Sequence, residues 1–162
     1  MLKENEFIIS NVVLMDLLEA VTNKRKSLRF KAKGFSMFPF ICNSDVVTIS
    51  QFSNSHIGLG QAVAFIHPQT QELAVHRIIG KKGNDYIIKG DNIFAIDVAV
   101  PRENILGYVS IIERKGKKVI LGLGWERRLI VFLSRIRLIS LIARIGKFIP
   151  VSIRRFLNEK FF

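Results

Sequence analysis

The sequence predicts a mainly β domain, a barrel or coiled sheet, flanked by an N-terminal amphipathic helix and by basic amphipathic C-terminal helices. Three observations carry this. From residue 28 the apolar pattern has period two, with Leu28, Phe30 and Ala32 alternating with Arg29, Lys31 and Lys33. Short β-rich runs follow at Asp45–Ser50, Gln61–Ile66, Glu72–Ile79, Asp85–Lys89, Ile105–Glu113 and Lys117–Leu121. Before residue 28 the apolar steps lengthen to three and four, the helical spacing, and after Gly124 the chain turns rich in Leu, Ile and Phe with scattered Arg and reads as helical.

Each element has its own signal. Phe7, Ile8, Val12, Leu14, Met15, Leu18 and Val21 predict a helix over residues 5–23, within an N-terminal unit of residues 1–27. The strands are separated by turn chemistry at Asn43-Ser44, Gly58 to Gly60, His67-Pro68, Lys82-Gly83-Asn84 and Lys115-Gly116. They make up a unit of residues 28–122. Trp125–Lys147 reads as helical, Pro150 breaks it, and Val151–Lys160 adds a short helix to a tail of residues 123–162.

The charge divides the chain in the same way. The 162 residues carry a formal net charge of +12. Residues 1–112 hold 12 basic and 10 acidic side chains, whereas residues 113–162 hold 13 and 3. A basic segment points to nucleic acid or to an anionic membrane. The tail is dense in Leu, Ile and Phe rather than in stacking aromatics, so nucleic acid is not expected as a partner. Spanning is disfavoured as well. Leu129–Ile149 contains Arg135, Arg137, Arg144 and Lys147, and each basic residue costs about 2.5–3.5 kcal/mol at the bilayer centre. An in-plane helix with snorkelling basic side chains fits better, and a protein partner for the tail is the second reading. The helical wheel is not clean: Arg128 and Arg135 share one side, Arg137 and Arg144 another.

Several classes are excluded or disfavoured. The single cysteine, Cys42, permits no internal disulfide. His56, His67 and His76 include no pair at the i, i+4 spacing of a helical zinc site, so no metal and no cofactor are expected. Residues 7–18 are broken by Asn11 and Asp16, too polar for a secretory signal and too short for a span. The expected location is therefore peripheral to a membrane, on its cytoplasmic face.

Three stretches hold candidate chemistry. Lys33-Gly34-Phe35-Ser36-Met37-Phe38-Pro39-Phe40-Ile41 is an irregular turn after a strand, stiffened by Pro39, and presents Ser36. Leu73-Ala74-Val75-His76-Arg77-Ile78-Ile79-Gly80 sets His76 in a strand beside Arg77. Lys89-Gly90-Asp91-Asn92-Ile93-Phe94-Ala95-Ile96-Asp97 opens on turn chemistry. Taken singly, each also reads as structural: a turn serine, a cross-strand histidine and an ordinary turn.

In this order the three resemble the type I signal peptidases, which belong to a wider clan that includes the self-cleaving SOS repressors. The likeness covers residues 28–112. It implies a mostly β fold with a shallow groove, Ser36 as nucleophile, and a base at the position before Arg77. Many members have lysine there. His76 is similar to the endoplasmic-reticulum and spore-former type, which uses Ser and His. Imidazole as a side-chain type accepts a proton near pH 7 without the burial a lysine would need. The resemblance further implies Asp97 as orienter of the base, with Ile96 replacing the first of a paired aspartate, and Asp91 as structural support. Gly34, Met37 and Arg77 are the other supporting positions. Gly34 lies where many members carry a second hydroxyl, which leaves the Ser36 N–H as the main oxyanion donor.

The expected function is a Ser36/His76 endopeptidase at a membrane surface, taking a signal or leader peptide as an added strand. The alternative is a non-catalytic peptide-binding module on the same fold. A repressor-like regulator is a third reading, and residues 1–27 lack the two-helix pattern it needs.

Overall fold

The computed structural model of the chain describes residues 27–52, 57–94 and 99–135. Within these, eight strands form one antiparallel sheet: β1 (Leu28–Lys31), β2 (Val46–Ser50), β3 (Ala62–Ile66), β4 (Leu73–Lys82), β5 (Asp85–Lys89), β6 (Ala99–Val100), β7 (Ile105–Arg114) and β8 (Lys117–Val119). A 3-10 turn (Arg102–Asn104) precedes β7, and one α-helix, α1 (Arg127–Arg135), follows β8. The strand order is β1-β2-β7-β3-β4-β5-β6, with β8 a hairpin on β7, and the sheet does not close into a barrel.

The order follows from burial. β3 reads Ala-Val-Ala-Phe-Ile and is central, so both of its faces are covered. Ala62 and Ala64 enter one core with Met37, Ile41, Val47, Leu73, Val75 and Ile112. Val63 and Phe65 enter a second core with Ile78, Ile88, Val100 and Ile105. Side chains alternate along a strand, so these cores lie on opposite faces of the sheet. Sheet curvature has identifiable sources. Register shifts fall at Thr48/Ile49 between β2 and β7, at Ala64/Phe65 between β3 and β7, and at Ile78/Gly80 between β4 and β5. Such bulges bend a strand and raise its twist.

The fold is mainly β, as the sequence predicts, with differences in detail. β4 continues through Gly80 to Lys82, because the bulge absorbs the glycine and the Gly83 turn closes a hairpin with β5. β6 and the 3-10 turn lie beside Pro101 and were not foreseen. The predicted N-terminal helix (5–23) and the tail beyond Arg135 lie outside the described residues. The first part of the predicted tail does not stand clear of the β unit. Ile130, Val131 and Ser134 of α1 are buried, and Arg135 donates from Nε (3.0 Å) and Nη2 (2.6 Å) to the carbonyl of Ile79 on β4. Among the described residues no helix is long and apolar enough to cross a membrane.

Candidate active site

The Ser36 turn is built from below and from behind. Met37 and Ile41 point into the first core and are fully buried, which seats the turn on the sheet. Main-chain bonds from Phe38 N to Phe35 O (3.1 Å), Phe40 N to Met37 O (3.1 Å) and Ile41 N to Met37 O (3.0 Å) coil it. Gly34 enters the turn at φ 95°, a left-handed conformation that costs a glycine nothing, and its N–H donates to Asn43 Oδ1. Behind the turn, the Asp45 carboxylate accepts from the Cys42 N–H (2.7 Å) and from Arg114 Nε and Nη2 (3.0 and 2.9 Å). Arg114 Nη2 also reaches the carbonyls of Pro39 and Phe40 (3.3 Å each). The result is a rigid turn with Ser36 6% exposed.

The Gly90-Asp91-Asn92 turn is fastened to it. Asn92 donates its N–H to the carbonyl of Ser36 (2.8 Å) and its side-chain amide to that of Phe35 (3.2 Å). Gly90 is where the two turns come closest. A Cβ there would lie 2.9 Å from Ser36 O and 2.8 Å from Ile93 Cδ1, so a side chain would push the turns apart.

β4 supplies the base candidate. His76 pairs with Val63 on β3, lies 5.8 Å from the Phe65 ring between centroids, and is 7% exposed. Arg77 pairs with Lys89 on β5 at the end of that ladder, and Gly90 follows Lys89 directly. The Ser36 carbonyl thus lies beside Gly90, the residue after the partner of Arg77, which is the neighbour of His76 on β4. Ser36 Oγ is buried and has no hydrogen-bond partner among the described residues, so no Ser36–His76 bond is formed in this structure. Such bonds are often long before substrate arrives and shorten in the complex.

Arg77 faces the other way from His76 and holds the frame. Nε and Nη2 form a two-point pair with Asp91 (2.9 and 2.7 Å). Nη1 donates to the carbonyls of Gly60 and Gly122 (2.8 Å each), and the guanidinium stacks 5.2 Å from the Phe40 ring centroid. Arg77 and Asp91 are almost wholly buried. One side chain therefore ties β4 to the Gly90 turn, to the loop before β3 and to the segment leading into α1. That segment is itself organised by Glu126, whose carboxylate accepts from Gly122 N (2.6 Å) and Gly124 N (3.0 Å). Partial burial opposes charging of Glu126, yet these N–H groups and the nearby Arg77 hold its pKa below the ordinary value.

Of the residues singled out in the sequence, Ser36, Gly34 and Met37 share one turn, His76 and Arg77 share β4, and Asp91 binds Arg77. Asp97 and Ile96 fall in residues 95–98, outside the described residues. Sequence reasoning missed Lys89. It is buried, and its Nζ donates to Gly90 O (3.1 Å) and Ser134 Oγ (3.2 Å), joining α1 to the Gly90 turn. Its signal was a lysine at the inward position beside Arg77. Cys42 is a poor rival nucleophile: burial pushes its thiol pKa up, Arg114 opposes this and Asp45 adds to it. Among the described residues no group of three or more His, Cys, Asp or Glu side chains is placed to hold a metal. No family model matches the chain, and no curated protein matches it.

Two substitutions test this frame. Asp91→Asn leaves the Arg77 charge buried without its counter-ion and is expected to lower unfolding stability by about 3 kcal/mol. Gly90→Ala is expected to cost about 1–3 kcal/mol through overpacking against Ser36 O. Urea unfolding of the two variants beside the native chain measures both.

Proposed function

We propose that the protein is a serine endopeptidase in which Ser36 is the nucleophile and His76 the general base. One observation carries the reading. Three motifs spread over residues 34–92 come together, so that a buried serine hydroxyl with no described hydrogen bond lies on a turn fastened to the Gly90 turn, which follows the β5 residue paired with the neighbour of a buried histidine. A serine needs such a neighbour to become nucleophilic.

The strand edge next to His76 supports a peptide substrate. Leu73, Ala74 and Val75 pair with β3 on one side, while β5 joins β4 only from Arg77 onward. Among the described residues the other edge of Leu73–Val75 is left without a strand. An extended peptide adding to that edge would run toward His76. By family resemblance, its side chains near the scissile bond are small.

The chemistry then follows ordinary acyl transfer. Ser36 Oγ attacks the peptide carbonyl carbon while His76 takes the hydroxyl proton. The oxyanion accepts from the Ser36 N–H. The tetrahedral intermediate collapses, the C–N bond breaks and His76 returns the proton to the leaving amine. Water, deprotonated by His76, hydrolyses the acyl-enzyme. Asp97 is the proposed orienter of His76, and Asp91 acts through Arg77 to hold the Gly90 turn. The setting is a membrane surface on the cytoplasmic side, reached through the basic C-terminal segment. The substrate would be a signal or leader peptide.

The absence of a Ser36–His76 hydrogen bond favours a second reading, a peptide-binding module without catalysis. Cleavage of extended peptides with small residues by the purified full chain separates the two. Ser36→Ala and His76→Ala are each expected to lower kcat/KM by about a thousandfold or more with folding intact. Turnover unchanged in both variants overturns the peptidase reading. Peptide binding without any turnover by the native chain supports the second.

A further inference from the structure

The region from β8 into α1 carries a run of large apolar side chains that the fold leaves uncovered. Trp125 is 88% exposed, Ile120 82% and Phe132 61%, and Leu121 and Leu129 are also exposed. A scatter of single exposed apolar residues is ordinary on a protein surface; five within thirteen residues are not. Leu129 and Phe132, three apart, share a side of α1, and Trp125 lies in the turn that leads into it. Ile130, Val131 and Ser134 are buried on the side that meets the sheet.

Basic side chains are exposed in the same stretch: Lys117, Lys118 and Arg128. The plate is also rigidly mounted. Arg135 is bonded to Ile79 O, Ser134 to Lys89, and Gly122 to both Arg77 and Glu126. An exposed Trp with exposed Leu, Ile and Phe, accompanied in the same stretch by exposed Lys and Arg, matches an interface that is both apolar and anionic. A protein groove would supply the apolar part, but an anionic bilayer supplies both over a flat area.

We infer that the Ile120–Phe132 face is a docking surface for an anionic lipid bilayer, with Trp125 inserted at headgroup level. The inference refines the membrane-surface setting proposed above by naming the contacting residues within the folded unit. It does not depend on the peptidase chemistry. The bonds from Arg135 and Lys89 then hold the strand bearing His76 and the Gly90 turn in a set orientation to the lipid.

Trp125 is the only tryptophan of the chain and therefore reports on this face directly. The test uses the full chain with vesicles of phosphatidylcholine alone or with one-third phosphatidylglycerol. The expected result is co-sedimentation with the anionic vesicles, a shift of Trp emission to shorter wavelength, and quenching by lipids brominated near the headgroup. Leu129→Glu/Phe132→Glu is expected to weaken vesicle partitioning by about tenfold or more without altering circular dichroism. Ser36→Ala is expected to bind as the native chain does, so loss of catalysis and loss of docking are read separately.

Co-sedimentation with no spectral shift overturns the inference and assigns the membrane contact to another part of the chain. Emission that is blue-shifted without lipid also overturns it. If that shift grows with protein concentration, a second copy covers the face; if it does not, the chain's own segments do. Equal binding to both vesicle types overturns the anionic component.

Discussion

The Arg77–Asp91 pair is the interaction on which the rest of the site depends. A guanidinium buried alone would cost several kcal/mol. Arg77 is tolerated because its donors are taken up by a carboxylate and two carbonyls drawn from three separate segments. The planar fork of arginine suits this arrangement, whereas a lysine ammonium could not meet the carboxylate at two points and still reach both carbonyls. Because the Gly90 turn is anchored through Asp91, Asn92 is in position to hold the Ser36 carbonyl. The position of the candidate nucleophile is thus set by a residue on the opposite face of the strand from His76.

A second, partly buried pair has the same logic. Arg114 and Asp45 hold the far end of the Ser36 turn by its carbonyls and by the Cys42 N–H. The turn is irregular, so no sheet ladder satisfies these groups, and charged side chains do so in its place. The apolar anchors Met37 and Ile41 supply attachment to the core, and the ion pairs supply orientation. Between them they leave the Ser36 hydroxyl as the buried polar atom of the turn with no described bond.

Much of this was legible in the sequence because local signals were sharp. Asp85–Lys89 was read with its observed bounds, since Lys82-Gly83-Asn84 opens it and Gly90 ends it. β4 was read short, because Gly80 looks like a terminator until a bulge and a hairpin partner are known. β6 has two residues and no period to detect. The unclean helical wheel after Trp125 also has a physical reason. The buried side of α1 includes Ser134 while Leu129 and Phe132 are exposed, so burial there does not follow the apolar side, and Arg137 and Arg144 lie outside the described residues. The fastening of the Gly90 turn to the Ser36 turn was not legible locally, because it arises from register and from a glycine that admits a carbonyl. Lys89 was hidden for the same reason: its partner Ser134 belongs to a segment that the sequence placed in a separate tail.

The central claim is that Ser36 is a nucleophile activated by His76. The most direct measurement is covalent labelling of the full chain with an acylating or phosphonylating serine probe between pH 6 and 9, followed by mass mapping of the modified residue. The account predicts a single adduct on Ser36 that disappears in a folded His76→Ala variant. Labelling absent throughout this range, or equal in the native chain and the His76→Ala variant, would contradict it.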